Sequence, residues 1–486
     1  MWRSSPMKNR ILFIIPLLFF ICISGCSKTD SVTDSQPNAN LVILYTNDEH
    51  GWLAGDGGSG SAAEMMGLWR SKEGYSETGP YLILSGGDNW TGPAISTWFG
   101  GESMVSVMNE MGYDAAAIGN HEFDFKIDGL KTRMQQAVFP YLSANVREKS
   151  TGLIPDYITP FIIKTVNGIK VGIIGLSSMT TPWSTFPTHV ETLEFINYVD
   201  ALTQTVPQVQ AEGADIIIVI AHLCHSELTA LVPTAKLMGI DIMTGGHCHD
   251  LYTTESEGII LTETGGEMGT YARIDLVYNK DRDEIVEYSH GVWFNQGGQA
   301  DSAIANIVTV WQANLDTELS GVIGYADQVI DQYSPGMQNM LTDSWLYTFP
   351  HADISMTNSG GIRQSIPAGE ILLTTIVGVL PFENYIIELE LTGTQVIDCV
   401  DNLIVGGMTT VHGYFHPDGT PLVADSVYTV LTTDYLYSRS DFNFSLYDTT
   451  PYYTSVNYRQ PVVDWIESLN TTAANPLNNY LDQIRL

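Results

Sequence analysis

The chain has 486 residues, too many for one ordinary hydrophobic core, so two folded domains are expected. Hydrophobic residues at 44% and aromatics at 10% exclude a disordered or fibrous chain. The 21 basic residues stand against 55 acidic ones, a formal charge of -34, which excludes a nucleic-acid polymer held by backbone electrostatics.

Arg3, Lys8 and Arg10 precede an apolar run at residues 11–23, and Ser24, Gly25 and Cys26 follow it. A basic start, a short apolar core and small residues at its end read as an export signal over residues 1–25, too short for a comfortable bilayer span. Removing that segment takes away bases and no acid. Ile23-Ser24-Gly25-Cys26 resembles the bacterial lipobox, which implies that Cys26 becomes the lipidated first residue. Residues 26–40 are then a tether, the lipid is the only membrane contact, and the protein faces the periplasm or the cell exterior. Cys224, Cys248 and Cys399 are an odd set with no framework spacing, so no disulfide scaffold is expected.

From residue 41 short apolar runs alternate with polar or glycine clusters, at 41–46, 81–85, 115–118, 170–176, 215–221, 240–244 and 258–262. Runs of this length bounded by Gly and Asp predict buried strands, and the stretches 61–70 and 102–111 suit helices, which makes α/β layers. A helical pattern at 301–319 follows the Gly-rich segment 295–300. The expected domains are 41–298, a helical linker at 299–321, and a second α/β domain at 322–486.

Each polar cluster follows a strand. Asp48-Glu49-His50 follows the first and Gly86-Gly87-Asp88 the second. The run Gly119-Asn120-His121-Glu122-Phe123-Asp124 follows the third, His222 the strand at 215–221, and Gly245-Gly246-His247-Cys248-His249 the next. Ligands of α/β sheets bind beyond the carboxyl ends of strands, so the five clusters can meet in one crevice. Asp, His and Asn form the mixed oxygen and nitrogen set that suits zinc, manganese or iron. A plainer role as strand-end caps stays open to Asp48 and Asp88, and His225 is expected as a surface helix residue.

In this order the clusters resemble those of the calcineurin-like metallophosphoesterases. Asn358-Ser359-Gly360-Gly361-Ile362-Arg363 and Pro381-Phe382-Glu383-Asn384 are similar to marks of the bacterial 5'-nucleotidase family, which includes UDP-sugar hydrolases and cyclic-nucleotide phosphodiesterases. The resemblance implies a four-layer αββα sandwich followed by a second α/β substrate-binding domain. It also implies two divalent metal ions, zinc, manganese or similar. One would be held by Asp48, His50 and His249 and the other by Asn120, His222 and His247, with Asp88 bridging them. Such a pair brings the pKa of a shared water towards neutrality, and that hydroxide attacks phosphorus in line. His121 and Asp124 would be the catalytic pair.

In the second domain the resemblance implies a base clamp of Phe382 opposite Tyr435, with Asn384 and Asp441 beside it and Arg363 facing phosphate. Some relatives have glutamine in place of His249. Two departures stand out in the second domain. The family usually has a Gly-Gly-Asp-Gly-aromatic run where this chain reads Arg439-Ser440-Asp441-Phe442-Asn443. The arginines expected before the second domain's first helix are missing from residues 331–336, leaving Arg439 as a conceivable substitute. The expected substrate is a small phosphate ester, a nucleoside monophosphate first. A cyclic nucleotide, a UDP-sugar, a thiosulfohydrolase-like reaction or a non-catalytic surface lipoprotein are the other readings.

Overall fold

The computed structural model describes residues 37–55, 60–410 and 413–484. The signal segment, Cys26 and most of the expected tether lie outside the described residues. Residues 38–40, expected as the end of that tether, already belong to the strand Asn38–Thr46, because Asn38, Ala39 and Asn40 pair with Asn279, Tyr278 and Val277.

Two six-stranded sheets carry the first half. In the first, Asn38–Thr46 lies between Thr270–Asn279 and Tyr81–Ser85, and the parallel run continues through Ala115–Ala117 to Tyr141–Leu142. In the second, Ile169–Leu176, Ile216–Ala221, Ile242–Thr244 and Ile259–Thr264 run parallel, edged by Phe161–Val166 and Leu251–Ser256. Strand side chains alternate between faces. Leu41, Ile43 and Tyr45 therefore point into a core shared with Val171, Ile173, Ile218 and Ile220 of the second sheet. Leu44, on the opposite face, packs with Met65, Trp69, Met104 and Met108 from the helices Ala62–Ser71 and Glu102–Met111. The second sheet turns Ile217 and Val219 outward onto Leu202, Val206, Leu228 and Val232 of the helices Tyr198–Ala211 and His225–Met238. The layers are thus helix, sheet, sheet, helix. Strands covered on both faces read as unbroken apolar runs, and each fully buried Leu or Ile contributes about 1.5–3 kcal/mol.

The helix Ser302–Leu319 is capped by Asp301, whose carboxylate accepts from the Ala303 and Ile304 amides. It is no free connector: Ile304, Leu315 and Leu319 are buried in the first half's outer core. Beyond it a five-stranded sheet runs in the order Ile404–Gly406, Ile354–Thr357, Val427–Thr433, Tyr385–Thr392, Tyr452–Asn457. Helices Pro335–Thr348 and Gln460–Leu469 bury Met340, Trp345, Val462 and Ile466 on one face, while Val396, Leu436 and Phe444 fill the other. This is the expected mixed α/β, two-domain arrangement. No helix among the described residues is long and apolar enough to cross a membrane.

Candidate metal centre and active site

The loops after the first two strands are zipped together. The Asp48 amide donates to the Gly87 carbonyl, His50 to Asp88 and Gly51 to Asn89, at 2.7–2.9 Å. Buried carboxylates fasten these loops from behind. Glu122 accepts from the Asp88, Asn89 and Gly119 amides, and Glu49 accepts from Ser85 and Asn89 side chains. Gly119 has to be glycine, since a Cβ there would stand 2.1 Å from Asp88 Oδ1. Asp48, His50, Asp88, His247 and His249 all adopt left-handed backbone conformations, with φ between 44° and 77°. That geometry costs a non-glycine residue about 1–2 kcal/mol, and strain of this kind collects where function requires a geometry the chain would otherwise avoid.

All seven residues expected to hold metal come together. Asp48, His50 and His249 form one group, and Asp88, His222 and His247 another. Asn120 Oδ1 stands 3.1 Å from His222 Nε2. The protons of the set decide whether it fits cations. His50 Nδ1 lies 2.8 Å from the Thr91 carbonyl and His222 Nδ1 3.0 Å from that of Gly86; both carbonyls can only accept, so each Nδ1 carries a proton. Burial holds His50 well below its ordinary pKa and His247 down to about 4, so both rings are neutral. The Nε2 lone pair of His50 then faces His249 Nε2 at 3.2 Å and Asp48 Oδ1 at 3.9 Å. A lone pair turned toward a carboxylate oxygen and a second imidazole is an arrangement that a metal ion would complete. At His222 burial opposes charge, yet Asp88 at 2.9 Å outweighs it and lifts the ring to about 10, so the second group also demands positive charge. The residues fit divalent metal ions.

His121 lies at the edge of this cluster, with Asp88 Oδ1 accepting its amide proton at 2.8 Å. Its Nδ1 is 2.7 Å from Asp124 Oδ2, while Thr185 donates to the other Asp124 oxygen at 2.9 Å. Burial disfavours a charged ring, but Asp124 and Asp88 together hold its pKa above the ordinary value. A proton on Nδ1 belongs to Asp124, which leaves Nε2 to work.

A cavity of about 760 Å³ opens over these groups and is lined from both halves of the chain. Arg363 and Phe382 reach in from the second domain: Arg363 Nη2 stands 3.3 Å from His50 Nε2, and the Phe382 ring stacks on His121 at 5.8 Å and 24°. Asn384 and Tyr435 also line it. The ring nearest Tyr435 is Phe186, at 6.3 Å. Asp441 stands outside the lining, its carboxylate engaged by Arg439 at 2.6 and 2.9 Å. Arg439 also lines the cavity, its remaining nitrogen engaged by the Tyr435 hydroxyl and the Trp183 carbonyl. Lys126, a further cation in the lining, carried no sequence signal beyond lying just past the Gly-Asn-His-Glu-Phe-Asp run. His225 is stacked on Tyr252 at 3.9 Å, away from the ligands.

One sequence expectation is overturned. Cys224 and Cys248 form a disulfide, Cα atoms 5.1 Å apart, leaving Cys399 as the free, buried thiol among the described residues. The pairing depends on two loops curling together after adjacent strands, which a separation of 24 residues does not reveal.

Residues 322–413 match the family described as 5'-nucleotidase, C-terminal domain. A 5'-nucleotidase of Vibrio cholerae is 26% identical over 81% of this chain and 81% of its own length, and Protein UshA of Escherichia coli is 27% identical over 79% and 80%. Among solved structures, a 5'-nucleotidase precursor from Thermus thermophilus superposes with a TM-score of 0.75 at 21% identity, covering 89% of this chain and 97% of that one. The sulfate thiohydrolase SoxB of the same organism gives 0.71 at 16%, covering 89% and 94%. Residues 322–413 are thus a 5'-nucleotidase C-terminal domain, and the chain is a homologue of proteins named 5'-nucleotidase and UshA that shares the two-domain fold of the solved 5'-nucleotidases.

Proposed function

We propose that the chain is a metal-dependent phosphoric monoester hydrolase that releases phosphate from nucleoside monophosphates. The observation that carries this reading is the convergence of carboxylate, imidazole and amide ligand atoms from Asp48 to His249 beside the His121–Asp124 pair, under Arg363 and Phe382. Two divalent ions, zinc, manganese or similar, on Asp48, His50 and His249 and on Asn120, His222 and His247 with Asp88 between, would supply Lewis acidity for water and phosphoryl oxygens. Arg363 holds a phosphoryl oxygen, a planar donor fork suited to that task. His121 Nε2 gives a proton to the leaving 5'-oxygen, and Asp124 accepts from Nδ1–H and fixes the ring. Phe382 and Tyr435 supply apolar faces for the base, with Asn384 in the same lining. The volume suits a mononucleotide. Releasing phosphate from AMP, GMP and UMP by the Mn²⁺-loaded protein tests the reading; metal binding without turnover on any phosphoester, UDP-glucose and cyclic nucleotides included, refutes it.

Phe382→Ala is expected to raise KM for nucleoside monophosphates roughly 5- to 150-fold, the worth of one base–aromatic stack. It should leave p-nitrophenyl phosphate cleavage within about threefold, the scale of a near-neutral contact. Steady-state kinetics on both substrates decide it. An equal loss on both would place the ring in support of His121 instead.

We also propose that the protein is exported and anchored through lipid on Cys26, on the strength of the basic start, short apolar run and Ile-Ser-Gly-Cys ending. The disulfide agrees with an oxidising compartment. Cys26→Ser should move the protein from the membrane fraction to the soluble one, read by immunoblot after fractionation; unchanged membrane retention would remove the anchor.

A further inference from the structure

We propose that the Cys224–Cys248 disulfide positions the metal ligands, and that reducing it loosens the loop carrying His247 and His249 and weakens cation binding. The inference rests on the metal-dependent reading above. The bridge has one fixed end and one compliant end. Cys224 caps the 14-residue helix His225–Met238; its amide donates to Glu227 Oε2 at 3.1 Å, and Glu227 is held in turn by Tyr198. Two residues earlier stands His222, itself fully buried. Cys248 lies between His247 and His249, in a loop where both histidines take left-handed backbone angles, φ 77° and 55°.

That loop supplies one ligand to each metal group, so its placement affects both. Its other fastenings are unequal. His247 is held by its amide, which donates to the Asp48 carboxylate at 3.0 Å, and by Thr180 at 3.1 Å from its Nε2. The His249 side chain is 37% exposed, and its polar partners among the described residues are Asp48 and His50, at 3.5 and 3.2 Å, the groups with which it would share a cation. The turn is pinned at its two ends by the Gly246 amide on the Leu223 carbonyl at 3.0 Å and the Asp250 amide on Glu263 Oε1 at 2.9 Å, and between them the bridge from Cys248 is the covalent tie to the helix end. Cys248 is exposed, so a reductant reaches it. The group Asp48–His50–His249 is therefore the first to weaken.

The test uses the full chain, Mn²⁺ and no substrate. Free Mn²⁺ is counted by electron paramagnetic resonance during titration of the oxidised protein, the phosphine-reduced protein, and the Cys224→Ala/Cys248→Ala variant; manganese is chosen because freed thiolates prefer softer ions. The expected result is two sites in the oxidised form and a rise of about 10- to 100-fold in the Kd of one site in the other two, the scale seen when groups that orient ligands are removed. Reoxidation should restore the wild-type isotherm and leave the variant unchanged. Superimposable isotherms in all three forms overturn the proposal. Loss of Mn²⁺ that tracks loss of far-ultraviolet dichroism also overturns it, in favour of a crosslink that merely holds the fold. If no form binds Mn²⁺, this proposal and the metal-dependent reading fall together. A redox-dependent isotherm in a protein that cleaves no phosphoester would leave this proposal standing and sink the hydrolase reading alone.

Discussion

Replacing His121 by alanine lowers kcat on a nucleoside monophosphate by about 10²- to 10⁴-fold, the usual worth of a positioned general acid, while both metal ions stay bound. The two halves of this expectation come from separate contacts. The side chain's own bond is to Asp124, and His121 lines the cavity, so its loss removes the proton donor for the leaving oxygen. The contact that ties this segment to the metal cluster is made by the backbone: Asp88 accepts from the His121 amide, which alanine keeps. Asn120, the neighbouring ligand, is held through its own side chain, whose Nδ2 donates to the Ser184 carbonyl at 3.1 Å. A substrate with a good leaving group separates proton donation from other roles. p-Nitrophenyl phosphate needs little protonation, so the variant should lose far less activity on it than on AMP. Equal losses on both would show that His121 serves the phosphoryl group and not the leaving oxygen. Asp124→Asn should follow His121→Ala in direction with a smaller effect, since the amide still occupies the space and can still accept one hydrogen bond.

The convergence of the candidate metal ligands could be read from the chain because its parts obey a simple geometric rule. Apolar runs such as 41–46 and 215–221 are buried on both faces, so they are unbroken and easy to find, and the residues just past them lie at the sheets' carboxyl edges. Asp48, Asp88, Asn120, His222, His247 and His249 each stand just past such a run, and the two sheets face one another. The long strands Thr270–Asn279 and Glu284–Phe294 left a weaker trace, because one face of the hairpin is solvated and its residues alternate apolar with polar. The rim of the cavity left almost none. Thr180 to His189 carry no motif, yet Thr185 steadies Asp124, and the Ser184 and Trp183 carbonyls receive Asn120, Tyr435 and Arg439. Backbone carbonyls have no residue signature. The position of Tyr435 shows the same limit: its sequence context places it near the cavity, but its neighbour Phe186 comes from a segment 249 positions away that only the folded chain brings close.

Asp88→Asn should abolish measurable phosphatase activity, a loss of about 10³-fold or more from the several kcal/mol that metal ions contribute to a phosphoryl transition state, and it should do so without unfolding the protein. The side chain faces both metal groups: its carboxylate is 2.9 Å from His222 Nε2 and lies within reach of His50 and His121. Asparagine keeps the shape and keeps an oxygen to accept the His121 amide, so the loops stay zipped through the backbone bonds of residues 48, 50 and 51. The loss is confined to the negative charge shared between two cations. In the metal-free protein burial opposes the Asp88 charge, but the His222 ring 2.9 Å away outweighs it and holds the Asp88 carboxyl well below its ordinary range. Asparagine loses that buried pair, so the metal-free Tm is expected to fall below that of the wild type while the transition stays cooperative. Added Mn²⁺ tells the two apart. A ligand that binds only the folded state stabilises it by about 2.7 kcal/mol at a hundred times its Kd, so the wild-type Tm should climb with Mn²⁺ concentration while that of Asp88→Asn stays nearly flat. Metal analysis after desalting gives the stoichiometry directly, with at most one ion retained by the variant. Two ions retained together with kcat within tenfold of the wild type would remove Asp88 from the bridging position and leave its carboxylate as a strand-end cap.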